Sequence, residues 1–131
     1  MNMHQQIVQL TLVVKDYDEA IEFYTKKIGF ILKEDTVLSE TKRWVVVGPK
    51  DSYCNLLLAK AANEEQQKSI GNQTGGRVFL FLNTDNFQRD HKMFQQNGVE
   101  FVREPVEERW GIVAVFKDLY GNLWDLIEPK K

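Results

Sequence analysis

The chain repeats its own pattern at an interval of 69 residues. A β-rich run, Ile7–Val14, leads into Asp16, with Glu19 three residues further on; a second, Val78–Asn83, leads into Asp85, with Gln88 three further on. An acid followed at that spacing by Glu or Gln is suited to a capping box, so a helix is expected to begin just after each acid. Each helical stretch then meets a glycine, Gly29 or Gly98, able to take the left-handed conformation that ends a helix. The intervals agree: 85 − 16, 88 − 19 and 98 − 29 are each 69. An internal repeat outranks any single-residue signal for the fold.

Within the first helix Tyr17, Ala20, Ile21, Tyr24 and Ile28 share a face, and within the second Phe87, His91 and Phe94 do so. Past each glycine the pattern returns to strands. The first half reads Phe30–Val37, Arg43–Val47 and Tyr53–Ala59; the second reads Val99–Arg103, Gly111–Lys117 and Leu123–Ile127, with a tight turn over Asp118–Asn122. The order strand, helix, three strands is therefore performed twice, which is an α+β class. We expect one domain over 1–131, with βαβββ modules at 5–60 and 77–129 and a linker at 61–76. In that linker Ala62–Ser69 suits a short helix, whereas Gly71, Asn72, Gly75 and Gly76 do not continue one.

Composition narrows the partners. With 43% hydrophobic residues over 131 positions a real core is available, and a net charge of −2 offers no basic excess for phosphates. Nucleic acid is therefore not expected. Apolar runs such as Leu56–Ala59 and Val78–Leu82 fall far below the roughly 20 residues of a membrane span. Met1–Gln9 carries no signal-peptide core. Cys54 stands alone, so a disulfide framework is absent and a reducing cytoplasm is the expected location.

The segments Leu12-Val13-Val14-Lys15-Asp16, Ala20-Ile21-Glu22-Phe23-Tyr24 and Ile28-Gly29-Phe30, with Asn97–Phe101 and Asp118–Leu126 in the second half, carry a resemblance. They resemble the glyoxalase/bleomycin-resistance/dioxygenase (vicinal oxygen chelate) superfamily over nearly the whole chain. The resemblance implies two tandem modules curled into an incomplete barrel around a cavity, and a homodimer. It also implies a metal site in some members, with one ligand from the first strand and one from the last strand of each half.

Strand alternation locates those positions here. On the first strand Leu10, Leu12 and Val14 are expected beneath the helix, with Gln9, Thr11 and Val13 facing the cavity. On the equivalent strand Phe79 and Phe81 are expected beneath the helix, with Val78, Leu80 and Leu82 facing the cavity. On the last strand Leu123, Asp125 and Ile127 share a face, opposite to Trp124. By the resemblance, the four ligand positions are Gln9, Leu56 or Leu57, Val78 and Asp125. Only Gln9 and Asp125 offer oxygen to a divalent metal, against the three protein ligands of a catalytic zinc-type site. Iron extradiol dioxygenase chemistry would need two histidines. His4 sits in a polar tail and His91 on a helix, so that chemistry is not expected.

The expected function is a glyoxalase-like protein that binds a small polar organic molecule in its cavity, with lyase or isomerase chemistry as one form. The alternative is a non-catalytic, drug-sequestering protein of the bleomycin-resistance kind. Asp125 is the candidate acid/base or orienting carboxylate, and otherwise an ordinary hydrogen-bonded or exposed acid. Gln9, Thr11, Arg43, Trp44, Leu80 and Trp110 are the candidate substrate contacts. Gln9 is also open as a metal ligand or a satisfied polar group. The tryptophans can stack on a planar ligand or serve as core, and Arg43 and Arg103 can hold an anion or remain solvated. His91 reads as a core-edge residue and Cys54 as a small buried hydrophobe.

Overall fold

The computed structural model describes residues 4–131. The chain forms two compact units, Met1–Gln67 and Lys68–Lys131, each built on its own four-stranded sheet. The first unit holds β1 (Gln9–Val14), α1 (Tyr17–Glu22), β2 (Ile31–Val37), β3 (Arg43–Gly48) and β4 (Asn55–Lys60). Helix α2 (Glu64–Ser69) spans the division between units, and the second unit continues with β5 (Val78–Asn83), α3 (Phe87–Gln96), β6 (Phe101–Glu108), β7 (Gly111–Lys117) and β8 (Leu123–Pro129). The sheet orders are β1-β4-β3-β2 and β5-β8-β7-β6, so the two halves share one topology and neither sheet closes on itself. In each, the first strand runs parallel to the last and the other pairs are antiparallel. The expected strand–helix–three-strand order is the observed one in both halves.

The helix ends follow the sequence, with one correction. Asp16 caps α1, its carboxylate accepting from the Glu19 N–H at 2.8 Å. In the second half the cap is Asn86, not Asp85: its side chain accepts from the Arg89 N–H at 3.0 Å, and α3 starts one residue later. Asp85 pairs instead with the Arg89 guanidinium at 3.0 Å. An asparagine caps as well as an aspartate, so the acid is released to pair along the helix. Helix α1 runs on as a π-helical stretch, Phe23–Lys27, in which the Ile28 N–H reaches the Phe23 carbonyl at 3.3 Å. This wider turn buries Phe23 beside Tyr24 and Ile28. Gly29 and Gly98 both take positive φ, 90° and 86°, as a helix-ending glycine should.

Each helix covers one face of its own sheet. In the first unit Leu12, Val14, Val45, Val47, Leu56 and Leu58 are buried with Tyr17, Ala20 and Tyr24 from the helix. In the second the covered face is aromatic: Phe94 meets Phe116 edge-on at 5.2 Å, and Phe116 stacks on Trp124 at 5.7 Å. His91 stacks on Phe87 at 5.4 Å and lies 4.3 Å from Phe101, the core-edge place expected of it. Strand β6 runs past the expected end at Arg103 to Glu108 because Pro105 falls in a register irregularity of an edge strand, where a missing N–H costs no ladder bond.

The linker largely satisfies itself. Asn72 N–H reaches the Ser69 carbonyl at 2.9 Å, Gln73 Nε2 donates to the same carbonyl at 2.7 Å, and Thr74 Oγ1 donates to the Arg77 carbonyl at 2.5 Å. Gly71 has φ of 73°, and a Cβ there would lie 2.0 Å from the Tyr120 carbonyl oxygen. Among the described residues no helix is long and apolar enough to cross a membrane.

Candidate functional site

The helix-free face of each sheet is where polar side chains can meet a ligand, because the opposite face is sealed by core. In the second unit this face carries Asp125. Trp124 and Leu126 on either side of it are buried against the helix face, as alternation requires. Asp125 pairs in register with Phe81 on one side and Val115 on the other, and Val115 pairs with Arg103. The row Phe81–Asp125–Val115–Arg103 thus crosses the sheet. Desolvation raises the Asp125 pKa above the usual carboxylate range, and the Arg103 charge opposes that rise.

One expectation about this face is reversed. Simple alternation puts Leu80 and Leu82 on the cavity face and Phe81 on the helix side; the register shift between Val78 and Leu80 inverts them. Phe79 is an extra residue, so Leu80 pairs with Trp124 on the helix side while Phe81 joins Asp125 and is 66% exposed. Sequence reasoning missed Phe81 for that reason, since a single bulge flips every later side chain. Val78, before the bulge, pairs with Leu123 and keeps its expected face.

The first unit presents a different surface. Gln9 pairs with Asn55 and Thr11 with Leu57, and both Gln9 and Thr11 are exposed. Leu56 is buried on the helix side, so Leu57 is the counterpart of Asp125 on the helix-free face. A cavity of about 660 Å³ opens where β3 begins and β4 ends. Trp44, Leu57 and Ala59 reach it from the helix-free side, and Tyr17, Lys42, Arg43, Lys60 and Gln66 complete much of its wall. Of the sequence candidates only Arg43 and Trp44 line it; Gln9, Thr11, Leu80, Trp110 and Asp125 do not. Trp110 is 52% exposed, in the two-residue turn between β6 and β7.

Arg43 is already occupied. Its guanidinium holds Asp35 at 2.7 Å and Asp18 at 2.9 Å, and lies 5.2 Å from the centre of the Tyr17 ring. The Asp35 and then the Asp18 hydrogen bonds raise its pKa further. Its backbone N–H donates to the Tyr17 hydroxyl at 3.2 Å. Arg43 therefore fixes the start of β3 against α1, with three of its five N–H donors already engaged.

A polar cluster that sequence reasoning took only as a turn lies after β7. The buried Asp118 carboxylate accepts from the Tyr120 and Asn122 N–H groups at 3.0 and 2.9 Å, from Asn122 Nδ2 at 3.0 Å and from Trp124 Nε1 at 3.2 Å. With its oxygens so engaged it is a structural clasp. Cys54 is only partly buried and unpaired, and His4 is exposed.

The four superfamily ligand positions do not fit a catalytic metal. They read Gln9 and Leu57 in the first unit, Val78 and Asp125 in the second. Each unit supplies one oxygen-bearing side chain and one hydrocarbon, against three protein ligands for such a site. Among the described residues no cluster of three His, Cys, Asp or Glu side chains is arranged to hold a metal.

Two βαβββ modules, each carrying its own four-stranded mixed sheet, define an α+β class of protein. The chain belongs to the glyoxalase/bleomycin resistance protein/dioxygenase superfamily, whose family model matches residues 6–126. A Shewanella frigidimarina protein is 59% identical over 128 residues, covering 96% of this chain and 95% of the relative. Among solved structures UcmS2 superposes with a TM-score of 0.83 at 33% identity, covering 95% of this chain and 98% of its own. TnmS3, an antibiotic binding protein from Streptomyces sp. CB03234, superposes with a TM-score of 0.80 at 27% identity, covering 99% and 100%.

Proposed function

We propose that this protein binds a small organic molecule in the cavity at the end of its first sheet and holds it without transforming it. The observation that carries this reading is the cavity itself: about 660 Å³, lined in part by Leu57, Ala59, Ala61 and Ala62, with Trp44 also in its wall. That volume lies within the range of small-ligand sites, and an apolar lining with a few polar groups is their usual chemistry. The likeness to TnmS3, which binds an antibiotic, supports binding as the activity. So does the oxygen-poor set at the superfamily's metal positions.

The test is calorimetric titration with a panel of bicyclic aromatic compounds, alongside Trp44→Ala. Binding by some members, weakened about tenfold or more in the variant through loss of stacking surface, supports the reading. Binding that is indifferent to Trp44 would place the ligand elsewhere.

A second reading has its own observation. Asp125, partly desolvated on the helix-free face of its sheet, has the raised pKa that suits a general base. Lyase or isomerase chemistry would then start with proton abstraction by this carboxylate. Metal content before and after incubation with Ni²⁺, Zn²⁺, Co²⁺ or Mn²⁺, with Asp125→Ala as control, separates the readings. About one ion per chain, lost in the variant, would favour catalysis; binding of the panel without any ion would favour the cavity. A homodimer and a cytoplasmic location complete this proposal, and gel filtration with scattering tests the first.

A further inference from the structure

The cavity wall is unbalanced in charge. Every charged residue lining it is a cation, Lys42, Arg43 and Lys60, although the whole chain has 19 acids and 17 lysines and arginines. Arg43 is held by Asp35 and Asp18, neither of which lines the cavity; that trio carries one net negative charge, and the free positive charge on the wall is that of Lys42 and Lys60. Lys42 and Lys60 have no acid partner among the described residues, so their charge is left for whatever enters. Gln66 adds a neutral donor: its Oε1 accepts from the Ala62 N–H at 2.6 Å, which turns the amide oxygen to the backbone and leaves the nitrogen as the group to be satisfied. The rest of the lining includes Trp44 and the aliphatic Leu57, Ala59, Ala61 and Ala62.

We propose that the cavity selects a planar apolar molecule bearing a negative charge, such as an aromatic carboxylate or phenolate. Its flat body lies on Trp44 and the alanines, while its anionic oxygen meets Lys42, Lys60 and the Gln66 amide. This rests on the cavity being the binding site, and it adds a sign to the ligand. A cation is disfavoured there because two uncompensated ammonium groups repel it, and no acid on the wall is placed to attract it. Because both lysines are exposed, the selection weakens as salt is added.

The experiment compares three probes of one shape by calorimetry on the full chain: 1-naphthoate, 1-naphthalenemethanol and 1-naphthylmethylamine. The expected order is naphthoate tightest, by about tenfold over the alcohol at low salt, and the amine weakest. In K42Q/K60Q the naphthoate is expected to fall to the affinity of the alcohol, and in K42R/K60R to keep its advantage. Equal affinities, a preference for the amine, or an advantage that survives K42Q/K60Q overturns the inference while leaving small-molecule binding intact. Failure of all three probes to bind in a manner sensitive to Trp44→Ala overturns both.

Discussion

The two halves run the same βαβββ topology and differ in what they do with it. On the helix-covered side the correspondence is close: capped helix, positive-φ glycine, buried strands of matching order. On the helix-free side it fails. The first half places Leu57 where the second places Asp125, and has a cavity whose charged lining residues are all cations where the second aligns Phe81, Asp125, Val115 and Arg103 in one row across its strands. A repeated fold constrains the face that makes the core, and leaves the other face to change.

The cores themselves are filled differently, and this gives the largest expected effect. Strand β7 buries Phe116 against Phe94, Phe101 and Trp124, whereas β3 buries Val47 in an aliphatic setting. Phe116→Ala is expected to cost about 3–5 kcal/mol through lost contact and residual cavity. Val47→Ala removes two methyl groups and is expected to cost about 2 kcal/mol. Urea unfolding of both variants measures the pair. Equal losses would mean that the aromatic stack collapses around the gap.

The turns that follow those strands sharpen the contrast. After β7 the Asp118 carboxylate gathers four donors; after β3 the chain turns at Pro49, with the Ser52 N–H on the Pro49 carbonyl at 3.1 Å and Ser52 Oγ on the Cys54 carbonyl at 2.6 Å. Asp118→Ala strands buried donors, including the indole of Trp124, and is expected to cost about 3 kcal/mol. Ser52→Ala, in a partly exposed turn, is expected to cost about 1 kcal/mol or less. Thermal unfolding followed by near-UV circular dichroism reads both, and a lost Trp124 band in the first variant would locate the damage.

How much of this was legible in the sequence follows from the kind of signal. The repeat, both helices, both terminal glycines and the strand order were readable because periodicity and capping are local. The face of Asp125 was readable too, since β8 alternates without interruption from Leu123 to Ile127. Phe81 was not. Nothing in Val78–Asn83 announces that Phe79 is extra, because the bulge depends on the parallel pairing with β8. The pairing of Arg43 with Asp18 and Asp35 was also hidden: it joins a helix start to two strands, contacts spanning 25 and 8 residues. The cavity's charge imbalance needed the fold, because Lys42 and Lys60 meet only where β3 begins beside the end of β4.

Asp125 supplies the smallest and most discriminating effect. Burial raises its folded pKa above the ordinary value of 3.8, so the native state binds a proton more tightly than the unfolded chain does. For an acid shifted upward, stability is full below the unfolded value and declines as pH rises through the folded one. Above that pH the native state carries a carboxylate it has not fully solvated. Asp125→Asn removes this penalty, and is expected to leave Tm at neutral pH equal to or slightly above that of the parent. The difference should close as the pH is lowered through the raised value toward 3.8, where the parent is itself protonated. Melting curves from pH 3.5 to 8 measure it. A variant less stable than the parent at neutral pH would mean that the carboxylate is held by partners after all, as Asp118 is, and would move Asp125 from the ligand-facing half of the comparison to the structural one.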